Sequence, residues 1–158
     1  MAKIKTQCPV CEFTVKAEVP PTICPQCGAD LTRPGVEVVL RKAHGSFAPG
    51  KIGGTAGWWY LTNFRLFFVK DASTGMGAAL GGVVGAVVEA AVTSGDTGRT
   101  IVNLPLADIG SLDETKAGLM KALVLTSRTH GPRGKVVVPK RDEWRDAVGQ
   151  AVAQYGGR

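Results

Sequence analysis

Cys8-Pro9-Val10-Cys11 and Cys24-Pro25-Gln26-Cys27-Gly28 contain all four cysteines of this 158-residue chain. Two Cys-x-x-Cys pairs this close together can converge on one ion. Four thiolates in tight turns suit a single tetrahedral Zn²⁺. The proline after each first cysteine fixes φ there, and the turn that follows aims backbone N–H groups at the preceding sulfur. Gly28 allows the positive φ that such a turn needs at its end. A redox Cys-x-x-Cys instead opens a helix in a βαβ unit, and no such unit is visible around these cysteines. Cys8, Cys11, Cys24 and Cys27 are therefore read as the ligands of one structural zinc ion. With all four positions filled by sulfur, no coordination site is left for metal catalysis.

Other reactive constellations are sparse. His44 and Ser46 are the only histidine and nucleophile close in sequence, in a glycine-rich stretch with no evident orienting acid. His130 stands apart. Gly50–Gly57 lacks the Gly-Lys-Ser/Thr ending of a phosphate loop, and Gly53-Gly54 precedes a strand pattern rather than a helix. The chain is expected not to be an enzyme.

The elements that must hold the cysteines come next. Between Cys11 and Cys24, Phe13, Val15, Ala17 and Val19 alternate with Thr14, Lys16 and Glu18, which predicts a β-hairpin there. Pro20-Pro21 turns the chain back. Residues 1–33 thus read as a small zinc ribbon with rubredoxin-like knuckles. So short a segment buries little core, and the metal must supply about 10 kcal/mol of its folding free energy.

From residue 34 the texture changes. Strand patterns fall at 36–43, 57–62, 64–69, 100–104, 109–115, 119–127 and 135–138, with Asn63, Pro105, Gly118 and Gly131-Pro132 as turn residues. Trp144, Ala147/Val148, Ala151/Val152 and Tyr155 then recur at helical spacing. Asp142 and Glu143 stand at the start of that stripe and Gly156-Gly157 at its end. Seven short strands followed by one amphipathic helix predict a mainly β barrel or sandwich with a helical cap.

Gly57-Trp58-Trp59-Tyr60-Leu61-Thr62-Asn63-Phe64-Arg65-Leu66-Phe67-Phe68 resembles the G-x-L-Y-L-T-N-x-R-L-x-F signature of GRAM and bacterial PH-like domains. Trp144 sits where such domains often carry a helix tryptophan that packs across one end of the barrel. The resemblance implies a PH/GRAM-like domain over 34–158, with a seven-stranded barrel and a C-terminal capping helix. It also implies that the loop between the first two strands, 41–51, is a candidate for holding phosphate groups. Arg41, Lys42 and Lys51 are the candidate charges in that loop, and Arg133 and Lys135 stand in a second basic turn. The signature aromatics themselves are read as core.

Residues 71–99 interrupt this domain. Met76–Val92 is apolar and built from small residues. A helix would align Gly77, Gly81, Gly85 and Glu89 in one i, i+4 row. Each interior glycine costs a helix about 1 kcal/mol, so the segment needs a surface to pack on. Seventeen residues would reach about 25 Å, short of a hydrocarbon core of about 30 Å. Three arrangements fit: packing on its own barrel, self-association through 75–95 in a homo-oligomer, or a shallow dip into a bilayer.

The net charge is +6, and 15 of 19 basic and 10 of 13 acidic residues follow residue 33. The excess favours anionic partners such as lipid headgroups or nucleic acid. Only one aromatic, Phe13, accompanies the ribbon, which leaves little for base stacking. No signal peptide pattern precedes the cysteines, and reduced thiolate ligands suit the cytoplasm. The expectation is a cytoplasmic, non-catalytic adaptor, peripheral to a membrane if lipid is its partner. It would dock on a protein partner or an anionic membrane surface. Self-assembly through the insert is the alternative, and a nucleic-acid-associated ribbon is a further one.

Overall fold

The computed structural model describes residues 3–50, 54–71, 100–117 and 119–157. Lys51 and the whole small-residue row of Gly77, Gly81, Gly85 and Glu89 lie outside the described residues. In chain order the elements are β1 (Ile4–Gln7), β2 (Thr14–Ala17), β3 (Val39–Ala48), β4 (Thr55–Thr62), β5 (Arg65–Lys70) and β6 (Thr100–Pro105). A 3-10 turn (Leu106–Asp108) leads to β7 (Ile109–Ala117), β8 (Met120–Ser127), β9 (Gly131–Val137) and helix α1 (Arg141–Tyr155). Among the described residues the chain is mainly β with one helix, at the C-terminal end, as the patterning predicts.

β1 and β2 form a small antiparallel pair. The other seven strands form one antiparallel sheet in the order β6-β5-β4-β3-β9-β8-β7. Two meanders, β3 to β6 and β7 to β9, are joined where Ser46–Ala48 of β3 pairs with Lys135–Val137 of β9. Near that junction Gly45 lies opposite Gly57. A Cβ on either would strike a carbonyl oxygen, of Val137 and Val69 respectively, so glycine is required where the strands approach this closely.

The inward side chains of both meanders meet in one core. Trp59, Leu61, Leu66, Phe68 and Leu104 come from the first, and Leu112, Leu123, Leu125 and Val136 from the second. Helix α1 closes this core with Trp144, Val148 and Ala151 and packs against the 3-10 turn and β7. Its stripe follows the predicted period. Its first turn carries Asp142 and Glu143, where acids complement the positive end of the helix.

Three local expectations change. The hairpin near the cysteines does not lie between the two pairs. β1 precedes Cys8 and pairs with β2, Ile4 opposite Ala17 and Gln7 opposite Thr14. The first cysteine turn reverses the chain, with Cys8 N–H donating to Phe13 O at 2.9 Å, so the strands on either side of it must meet.

Strand β3 runs to Ala48, so Arg41, Lys42 and His44 are strand residues rather than loop residues. Its ladder with β4 continues past them.

Asn63 acts through its side chain, not through a left-handed backbone. Its amide oxygen accepts from Val38 N–H at 2.8 Å and its amide nitrogen donates to Val36 O at 2.9 Å, templating the entry to β3.

Candidate metal centre

The sulfur atoms of Cys8, Cys11, Cys24 and Cys27 all lie within 4.8 Å of one another, and all four residues are buried. Cys8 Sγ is 3.7 Å from Cys27 Sγ, and Cys11 Sγ is 3.7 Å from Cys24 Sγ. No disulfide joins them; a disulfide would need about 2.05 Å. A regular tetrahedron with metal–sulfur bonds of about 2.3 Å has edges of about 3.8 Å, so the spacing fits four thiolates around one ion.

The turns that place these sulfurs also solvate them. Val10 N–H points to Cys8 Sγ at 3.4 Å. Backbone N–H groups of Phe13, of Gln26 and Cys27, and of Ala29 serve Cys11, Cys24 and Cys27 respectively. Each sulfur thus accepts from the residue two positions on, and such donors favour the thiolate. Without a cation, the ionisations of Cys11 and Cys24 are driven apart. The hydrogen bond between Cys11 and Cys24 pushes the Cys11 thiol up and holds the Cys24 thiol down. A cation would remove that conflict. Gly28, at φ +74, ends the second turn as its position predicts, and Glu12, at φ +62, ends the first.

The cysteine turns do not stand alone. They form a second apolar cluster with Val10 and Ala29 on one side and Tyr60, Phe67 and Val69 on the other. Those three side chains project from the outer face of the β4–β5 hairpin, where Tyr60 and Phe67 stack at 4.9 Å. The hairpin is therefore buried on both faces, by the main core beneath and the cysteine turns above. Burial against the sulfurs pushes the Tyr60 phenol up to about 12.

Three polar contacts lock the second layer down. Arg65 Nη1 donates to Cys27 O at 2.5 Å. Thr100 Oγ1 donates to Gln26 O at 2.5 Å. Lys42 Nζ meets Glu12 Oε2 at 3.0 Å. Nothing local in the sequence announces these pairs, because their partners are 30 to 74 positions apart.

The candidate anion-binding residues are dispersed. Arg41 pairs with Glu143 at 2.6 Å and lies over the Trp144 ring. Lys42, besides Glu12, lies over the Trp58 ring at 4.7 Å. Arg133 and Lys135 are on β9, where Lys135 pairs with Ala48 at the far end of β3 from Arg41. Seven residues of strand separate Arg41 from Ala48, up to about 23 Å, so the two basic groups do not form one site.

His44 has an acid the sequence did not reveal: its Nε2 is 2.7 Å from Asp71 Oδ2, and its ring meets Trp58 edge-on. A second polar group was also missed. Ser127 Oγ donates to Asp108 Oδ2 at 2.6 Å and accepts from His130 N–H at 3.0 Å. Thr129 Oγ1 meets His130 Nδ1 at 2.6 Å. Ser127 is buried, and its hydroxyl is engaged in fixing the turn between β8 and β9.

Among the described residues no helix is long and apolar enough to cross a membrane. No protein-family model matches the sequence, and no curated protein matches it.

Proposed function

We propose that the chain is a non-catalytic docking module, in which a zinc ribbon serves as a structural second layer on a PH/GRAM-like domain. Zinc is the ion that four thiolates at tetrahedral spacing suit best. Bound there, it neutralises the thiolates and ties the two cysteine turns together.

The observation that carries the docking reading is the sheet order with its closing helix. Two meanders joined through their first and last strands, with a C-terminal helix over the shared core, follow the arrangement of PH-like domains. Such a scaffold serves recognition by its loops and strand ends.

The positive excess favours an anionic surface as the partner. Co-sedimentation of the zinc-loaded chain with neutral and with anionic vesicles, at low and high salt, tests this. Binding to anionic vesicles alone, weakened by salt, supports a membrane-docking module. No binding to either would remove the membrane and leave a protein as the partner class.

A further inference from the structure

We propose that the tip of the β7–β8 hairpin inserts into an anionic lipid bilayer; this rests on the docking function above and assigns it to a surface. Leu119 is 105% exposed, the highest value of any large apolar side chain among the described residues, and Met120 beside it is 58% exposed. Together they place two adjacent, exposed apolar side chains at the hairpin tip.

Charge surrounds them. Lys116 and Lys121 stand directly opposite each other across the two strands, one pair behind Ala117 and Met120. Like charges facing each other destabilise a strand pair. Among the described residues neither ammonium has a carboxylate partner. Lys135 reaches over from β9, its Nζ 2.8 Å from Lys116 O, and adds a third ammonium at the same end. The next acid along β7, Glu114, is engaged by Arg145 at 3.1 Å. Apolar side chains at a tip flanked by lysines without carboxylate partners match the layering of a bilayer surface. The apolar tips reach the acyl boundary while the ammonium groups stay level with the phosphates. The ladder behind the tip holds as far as the pair of Ala117 and Met120. By contrast, Arg41 and Lys42 already hold Glu143 and Glu12.

The test uses the full zinc-loaded chain and vesicles of phosphatidylcholine, with and without phosphatidylserine. Two double variants are compared with the parent: Leu119→Glu with Met120→Glu, and Lys116→Ala with Lys121→Ala. All four positions are exposed, and an unchanged near-UV circular dichroism spectrum confirms that each variant is folded. The parent should bind the phosphatidylserine vesicles. The lysine variant should lose about 25-fold in partitioning, roughly five-fold per charge. The apolar variant should lose more than about tenfold. If the parent binds and neither variant is weakened, the hairpin inference falls while membrane docking stands. If the parent binds neither vesicle, both fall, and the exposed tip is left to a protein partner.

Discussion

The Arg65 guanidinium reaches the Cys27 carbonyl oxygen with Nη1 while its Nε and Nη2 hold the two oxygens of Glu37 at 2.7 and 3.1 Å. One side chain of the β4–β5 hairpin thus ties the second cysteine turn to the chain entering β3. The guanidinium also lies over the Phe67 ring at 4.6 Å, and both partners of the ion pair are largely buried. Arg65→Ala would leave the Glu37 carboxylate without its cation and the Cys27 carbonyl without its donor. The expected cost is about 2–3 kcal/mol in denaturant unfolding at saturating zinc. Arg65→Lys keeps the charge but loses the fork, and should fall between the two. A loss below about 0.5 kcal/mol for the alanine variant would show that the tie is dispensable.

Removing the metal should separate the two layers without melting the main core. Trp59 and Trp144 belong to the core beneath, whereas Tyr60, Phe67 and Val69 are covered by the cysteine turns. Chelation, or Cys24→Ser, should therefore leave the near-UV tryptophan signal largely intact. It should also raise binding of an apolar dye and speed amide exchange in β1 and β2. Because the ligands must be deprotonated to bind, acidification should release the ion with the same signature. Loss of the tryptophan signal along with the metal would mean that the layers fold only together. Cobalt substitution offers a direct reading, since four sulfur ligands give intense charge-transfer bands.

Much of this was legible from local pattern. Residues 57–62 and 65–69 are strands because their aromatics and aliphatics suit a pleated, buried surface. Trp144, Val148 and Ala151 mark a helix because they share one face. The four-cysteine cluster declares itself by spacing. The second face of the hairpin was not legible, because what covers Tyr60 and Phe67 lies more than thirty residues upstream. The PH/GRAM resemblance puts Arg41 and Lys42 in a loop between the first two strands, yet the ladder with β4 runs on to Phe47 opposite Thr55. The opposed pair Lys116 and Lys121 depends on a strand register that no local motif records.

Trp144 and Arg41 touch, but they should behave differently when removed. Trp144 is 2% exposed and joins the helix to the main core, so Trp144→Ala should cost about 3–5 kcal/mol. The Arg41–Glu143 pair is solvent-accessible, at 30% and 51% side-chain exposure, so Arg41→Ala should cost about 1 kcal/mol or less. Because Arg41 holds Glu143 at the start of α1, its removal should leave vesicle binding unchanged, unlike removal of Lys116 and Lys121. An equal loss of binding for Arg41→Ala would place the anionic surface on β3 instead.

Asp108 and Ser127 give the acid side of the stability profile a defined contributor. The Ser127 hydroxyl and the Thr129 N–H donate to the Asp108 carboxylate at 2.6 and 2.9 Å, and the Ser127 hydrogen bond is the main cause holding this carboxyl below its usual range. A group whose pKa is lower in the folded state than in the unfolded chain stabilises the fold fully above its unfolded value, about 3.9 for aspartate. That contribution fades as pH falls below this value and through the depressed folded one. Ser127→Ala should remove the main donor and flatten the stability profile in this acid window. It should also cost about 1 kcal/mol at neutral pH, because the His130 N–H loses its acceptor while the Thr129 N–H keeps Asp108. Urea unfolding of the parent and of Ser127→Ala from neutral pH down to acid measures both effects. Parallel profiles for the two proteins would show that Asp108 draws its stability from elsewhere.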